Sequence, residues 1–126
     1  MNLRLIEYII NKNPSYNNIT EFLNKTKPTI KPPNSITTIK YIIRPRPTIK
    51  CVDGFHVSIQ ANEFTFCIPS NNDGPWSHIE LSFPSEQLPK LFNKFIITNN
   101  KYIYTQVPIC LVDSLLDAHG GIACEI

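Results

Sequence analysis

Between residues 51 and 85, apolar and polar side chains change places at almost every step, and no other stretch restricts the fold as tightly. Phe55, Val57 and Ile59 alternate with His56, Ser58 and Gln60. Ile79, Leu81 and Phe83 alternate with His78, Glu80 and Ser82. A period of two marks a strand with one face on the core and the other in water. Asp53-Gly54 is a turn signal and predicts a hairpin joining residues 48–52 to 55–60. Residues 64–68 read as a further strand closed by Pro69, and residues 70–75 as a loop by composition. The whole stretch therefore reads as a β-meander.

The flanks add helices. Leu3, Ile6, Ile9 and Ile10 are spaced three and four apart, which predicts an amphipathic helix over 3–11, stopped by Pro14. A second helix is predicted at 18–26, with Asn18 as its cap, Glu21 three residues on, and Ile19, Phe22 and Leu23 on one face. A β-branched strand fits 36–43. Ser85 can cap a helix over 86–95 that carries Leu88, Leu91, Phe92 and Phe95 as an apolar stripe. Residues 96–98 and 102–107 read as strands around a turn at 99–101. Pro108 opens a last helix at its first position, packed by Leu111, Val112, Leu115, Leu116 and Ala118. Gly120 is its left-handed stop, beside His119 at the negative helix end. The fold class expected is α+β, an antiparallel sheet of about five strands packed by N-terminal, middle and C-terminal helices.

At 126 residues the chain reads as one domain, with a helical start and basic, proline-rich extended arm over 1–50 and the meander plus helices over 51–122. A chain this long buries roughly two-thirds of its unfolded surface, enough for one core. No apolar run approaches the ~20 residues of a membrane helix. The first residues lack the pattern of a signal peptide, so a cytoplasmic protein is expected. Cys51, Cys67, Cys110 and Cys124 have neither C-x-x-C nor zinc-finger spacing, and are expected to be buried free thiols, with no metal and no cofactor.

Charge is unevenly spread. Lys25, Lys27, Lys31, Lys40, Arg44, Arg46 and Lys50 are met by no acidic residue between Glu21 and Asp53. The block reads either as a solvated edge or as an anion-binding face. A formal net charge of only +2 disfavours a dedicated nucleic-acid binder and equally a DNA mimic.

Catalysis finds little support. Cys67 with His78 or His56 is the pair to test as nucleophile and base, but no glycine-rich elbow or oxyanion loop surrounds Cys67. Glu63 and Glu80 are the candidate acid–base pair, more simply read as surface acids. No phosphate loop, dinucleotide fingerprint or H-E-x-x-H motif is present. Binding fits better. Gln60, Asn62 and Glu63 gather at a strand end near Phe64, Phe66 and Trp76, offering edge partners and stacking faces for a purine. Arg44 and Arg46 would hold its phosphates. The alternative is that Phe64 and Phe66 are core while the polar residues satisfy a turn. Stacking then falls to Trp76 or Tyr41.

A resemblance adds a context. Asp53-Gly54-Phe55, Val57-Ser58-Ile59-Gln60-Ala61, Glu63, Phe66-Cys67, Pro69, Gly74-Pro75-Trp76, Ile79-Glu80, Phe83-Pro84-Ser85, Val107-Pro108, Val112, Leu115-Leu116 and His119-Gly120-Gly121-Ile122 form a set. Over residues 51–122 it resembles a family of short phage and prophage proteins without a settled reaction. The resemblance implies a counter-defence protein. The mode expected is an oligomeric sponge sequestering a nucleotide-derived signal, such as a cyclic ADP-ribose isomer or cyclic oligonucleotide, with an anti-CRISPR-like inhibitor of a host defence protein as the alternative. Neither involves catalysis or a membrane.

Overall fold

β1 (Ile49–Cys51) and β2 (His56–Gln60) form the hairpin that Asp53-Gly54 predicts, with Ile49 opposite Val57 and Lys50 opposite His56. The computed structural model describes residues 16–28, 44–97 and 100–126. The helix expected over 3–11 and the strand expected over 36–43 lie outside the described residues, as does Tyr41. β2 pairs with β3 (His78–Ser82), β3 with β5 (Asn100–Pro108), and β5 with the short β4 (Ile96–Ile97). β6 (Ile122–Glu125) returns to the far edge beside β1. The result is a 6-stranded sheet of order β4-β5-β3-β2-β1-β6, every pairing antiparallel.

Among the described residues, two α-helices pack on it. In α1 (Ile19–Lys25), the Asn18 side chain accepts the Glu21 N–H at 2.8 Å, as the sequence predicts. Ile19, Phe22 and Leu23 turn inward. α2 (Ile109–Ala118) follows Pro108, which sits at the cap one position before the first helical residue. Its Val112, Leu115 and Leu116 close over Ile49, Val57, Ile59, Ile79, Leu81 and Val107 in one buried cluster. Each such aliphatic side chain contributes about 1.5–3 kcal/mol on burial. The helices are tied by Asp113 Oδ1, which accepts the Ile19 N–H at 2.8 Å. Asp113 is therefore a partner of α1. Its carboxyl is pushed up by burial, against the pull of that N–H.

The end of α2 is anchored to the β1–β2 turn. Gly120 has φ +90° and its N–H donates to Asp117 O, while the Gly121 N–H returns to Leu116 O. The two neighbouring turns bond directly, Val52 N–H to Gly121 O and Asp53 N–H to His119 O. A Cβ on Gly120 would lie 2.8 Å from Val52 Cβ, so this approach requires glycine.

Several expectations need correction. Residues 64–68 are not a strand; only Ile68 bridges, to His78. Asn62 Oδ1 accepts the Phe64 N–H at 2.8 Å and Thr65 Oγ1 accepts the Asn62 N–H at 2.9 Å, and these local bonds replace a ladder. The helix at 86–95 is reduced to a 3-10 helix over Lys90–Phe95. Pro89 lacks an N–H and disfavours helical Leu88, so the turn starts only after it. Ser85 is not its cap: Ser85 Oγ accepts the His56 N–H at 2.9 Å. Leu91 and Ala118 are exposed instead of packed. Cys51 and Cys67 are buried free thiols, but Cys110 and Cys124 are exposed. The sixth strand, β6, exceeds the expected five. No described helix is long and apolar enough to cross a membrane.

Candidate functional site

Arg46 is the centre around which the predicted binding residues gather. The chain enters β1 through 44–48, alongside the end of β2. Gln60 Oε1 accepts the Arg46 N–H at 2.8 Å, and Gln60 Nε2 donates back to Arg46 O at 2.9 Å. The amide side chain thereby satisfies both backbone groups of a residue outside the ladder. The Arg46 guanidinium turns inward. Its Nη1 donates to Ala61 O at 2.6 Å, Nη2 to Leu23 O at 3.1 Å and Nε to Thr26 Oγ1 at 2.8 Å. The Thr26 hydroxyl in turn donates a hydrogen bond to Phe22 O at 2.6 Å. All three guanidinium nitrogens are thus engaged, and burial pulls the Arg46 pKa down to about 10.

Trp76 covers this cluster. The guanidinium carbon lies 5.1 Å from the Trp76 ring centroid and Lys27 Nζ lies 6.0 Å from it. Trp76 Nε1 donates to Asn71 O at 3.1 Å. Asn71 Oδ1 also accepts the Asp73 and Gly74 N–H groups, which curls the 71–74 loop under the indole. Gly74 has φ +68°, and a Cβ there would come within 2.7 Å of the ring. Arg46, Gln60, Asn62 and Trp76 are each only 6 % exposed. The structure thus brings four of the six predicted ligand residues together, and their polar groups spend themselves on one another and on backbone. Arg44 is exposed and Glu63 is half-buried, with its N–H donating to Asn72 Oδ1.

Around this knot the surface is apolar where the sequence suggested either core or a stacking platform. Phe64 is 70 %, Phe66 55 % and Ile68 40 % exposed. Their segment is firmly bonded. The Phe66 N–H donates to Glu80 Oε2 at 3.2 Å, and Phe66 O accepts the Gln106 N–H at 3.0 Å. Gln106 reaches outward because β5 bulges opposite Glu80: Ile79 faces Val107 but Leu81 faces Tyr104, and Gln106 adopts φ +49°. Ile68 exchanges backbone bonds with Ser77 and His78. Burial pushes the Glu80 carboxyl up, while the Phe66 N–H pulls it down. Phe64, Phe66 and Ile68 therefore form a ridge on a held backbone.

The candidate catalytic groups have other partners. The Cys67 thiol donates to Asn62 O at 3.2 Å and Pro69 O at 3.3 Å. His78 Nδ1 faces Ser77 Oγ at 2.7 Å. The Glu80 carboxylate, on β3, accepts the Phe66 N–H, and the backbone N–H of Glu63 donates to Asn72 Oδ1. Among the described residues no group of three or more His, Cys, Asp or Glu is placed to hold a metal ion.

A second feature is absent from the sequence reading. A cleft of about 590 Å³ opens at the other end of the sheet, lined by Pro84, Glu86, Gln87, Asn93, Ile96, Tyr102 and Tyr104. Beside it His119 lies between two carboxylates, Nδ1 at 2.6 Å from Asp53 Oδ2 and Nε2 at 3.4 Å from Glu86 Oε1. Its ring stacks on Phe55 at 4.1 Å between centroids. The available signal was charge: Asp53, Glu63, Asp73, Glu80 and Glu86 are met by no lysine or arginine between residues 51 and 89. No family model, curated protein or solved structure matches this chain.

Proposed function

We propose that the protein is a non-catalytic binding module that acts in the host cytoplasm by direct contact with a host defence protein. The observation that carries this reading is the ridge: three large apolar side chains exposed on a segment whose backbone is fixed to β3 and β5. Exposed apolar side chains on a rigid frame suit a protein partner, because little conformational entropy is lost when they are covered. The partner's chemistry follows from charge. Glu63, Asp73 and Glu80 belong to the segment carrying the ridge or to the strand beneath it, and no lysine or arginine lies between 51 and 89. The complement is a basic surface with apolar pockets. The counter-defence setting comes from the resemblance to phage and prophage proteins. The nucleotide-sponge alternative is less well supported, since Arg46, Gln60, Asn62 and Trp76 would have to abandon their internal partners to meet a ligand.

The test pairs wild type with a Phe64→Ser/Phe66→Ser variant. The partner captured by wild type from host cells is purified and its affinity for both proteins measured. The expected result is a loss of at least about tenfold in the variant, roughly 1.4 kcal/mol, with an unchanged melting temperature and weaker binding at high salt. Equal binding by the variant overturns the reading, as does release of an intact nucleotide from the heated wild-type protein with no partner recovered.

A further inference from the structure

The cleft beyond β5 has a chemistry of its own. Its lining combines two tyrosine rings, Tyr102 and Tyr104, with the Glu86 carboxylate and the side-chain amides of Gln87 and Asn93. Among the described residues, neither lysine nor arginine lines it. Lys94, on the neighbouring 3-10 helix, holds its ammonium 5.3 Å from the Phe95 ring. The volume of about 590 Å³ lies within the range of small-molecule sites.

The walls differ in rigidity. Tyr104 is buried in the core cluster and fixes the inner wall. Tyr102 is 61 % exposed and is supported from behind by Phe83, with ring centroids 6.2 Å apart and planes inclined by 19°. Phe83 reaches that position through a left-handed backbone, φ +51°, at the end of β3, where its N–H donates to Tyr102 O at 2.8 Å. Glu86 is placed by the 84–89 connection, with Oε1 3.4 Å from His119 Nε2. An aromatic face attracts a cation through its quadrupole, and a carboxylate beside it adds charge and acceptor oxygens. The same lining repels a phosphate.

We propose that this cleft is a binding site for an organic cation, a guanidinium or alkylammonium group. The cation lies against the Tyr102 ring with Glu86 as counter-charge, and where it is a guanidinium the side-chain amide oxygens of Gln87 and Asn93 accept its N–H groups. The inference does not depend on the ridge, which lies on a different segment. Two sources share this chemistry, an arginine side chain of a peptide and a free quaternary amine, and the test separates them.

The full chain, labelled with nitrogen-15, is titrated with N-acetyl-arginine amide, with choline, with the neutral isostere N-acetyl-citrulline amide, and with ADP. Saturable shifts of the amide signals of residues 86, 87, 93, 96 and 102 with a cation, and none with citrulline or ADP, are expected. Saturation with arginine alone assigns a peptide source, and saturation with choline as well assigns a free cation. Tyr102→Ala and Glu86→Gln are each expected to weaken binding about tenfold. Tyr102 is mainly exposed, so its variant keeps the test valid if loss of the Glu86–His119 contact disturbs folding. Equal binding of the citrulline isostere, saturation by ADP at the same signals, or no saturable shift with either cation overturns the proposal.

Discussion

A residue's chemistry here depends on which neighbours have already claimed it. Arg46 and Arg44 are alike in sequence, separated only by Pro45, yet Arg46 is buried among carbonyls and Arg44 is in water. The cysteines divide in the same way, and Cys51 is pushed up to about 12 by burial and by Asp53 and Asp117. Asp53 goes the other way. The Phe55 N–H at 2.9 Å and then the His119 bond hold its carboxyl below the usual range. A depressed carboxylate contributes stability that is present above its unfolded pKa and is lost as pH falls through the folded value. Asp53→Asn should therefore be less stable than wild type at neutral pH, and the gap should close below about pH 4. Denaturant midpoints at a series of pH values check this; a gap that persists unchanged in acid contradicts it.

At the scale of elements, the alternating and capped segments are legible because one local pattern determines each. Period-two residues define β2 and β3, and Asn18 with Glu21 starts α1. Residues 64–68 carry the same aromatic and β-branched signal as a strand, but Asn62 takes the Phe64 and Thr65 N–H groups and Thr65 O takes that of Cys67. Pro89 truncates the middle helix despite its apolar stripe. β6 is four residues long and gives no period of its own; it forms because Gly120 and Gly121 turn the chain back onto β1. That turn has a sharp expectation. Gly120→Ala meets both a left-handed φ and Val52 at 2.8 Å, and should cost about 2–3 kcal/mol. Gly121→Ala has a similar φ of +87° with nothing within 4 Å, and should cost about 1 kcal/mol. Urea unfolding of the two variants orders them; equal losses would mean the contact with Val52 is immaterial.

The candidate site was half legible at the scale of the whole molecule. The polar and aromatic residues chosen for a ligand do converge, because Gln60 ends a strand, Asn62 bends the chain and Trp76 starts the next strand's approach. Their burial could not be read, since it depends on α1 presenting Leu23 O and Thr26 to Arg46 across a distance in sequence. Arg46 thereby joins three separate parts of the chain: the end of α1, the exit of β2, and the loop that carries Trp76. Such a network holds the fold together in the place where a ligand was expected. The direct test is equilibrium unfolding of Arg46→Ala beside Arg44→Ala, each with and without cyclic nucleotides. Losing the guanidinium orphans buried carbonyls, so Arg46→Ala should be destabilised by about 3 kcal/mol, Arg44→Ala by less than about 0.5 kcal/mol, and nucleotides should shift none of the proteins. An Arg46→Ala protein as stable as wild type that has lost a nucleotide-induced stabilisation seen in wild type would contradict the account.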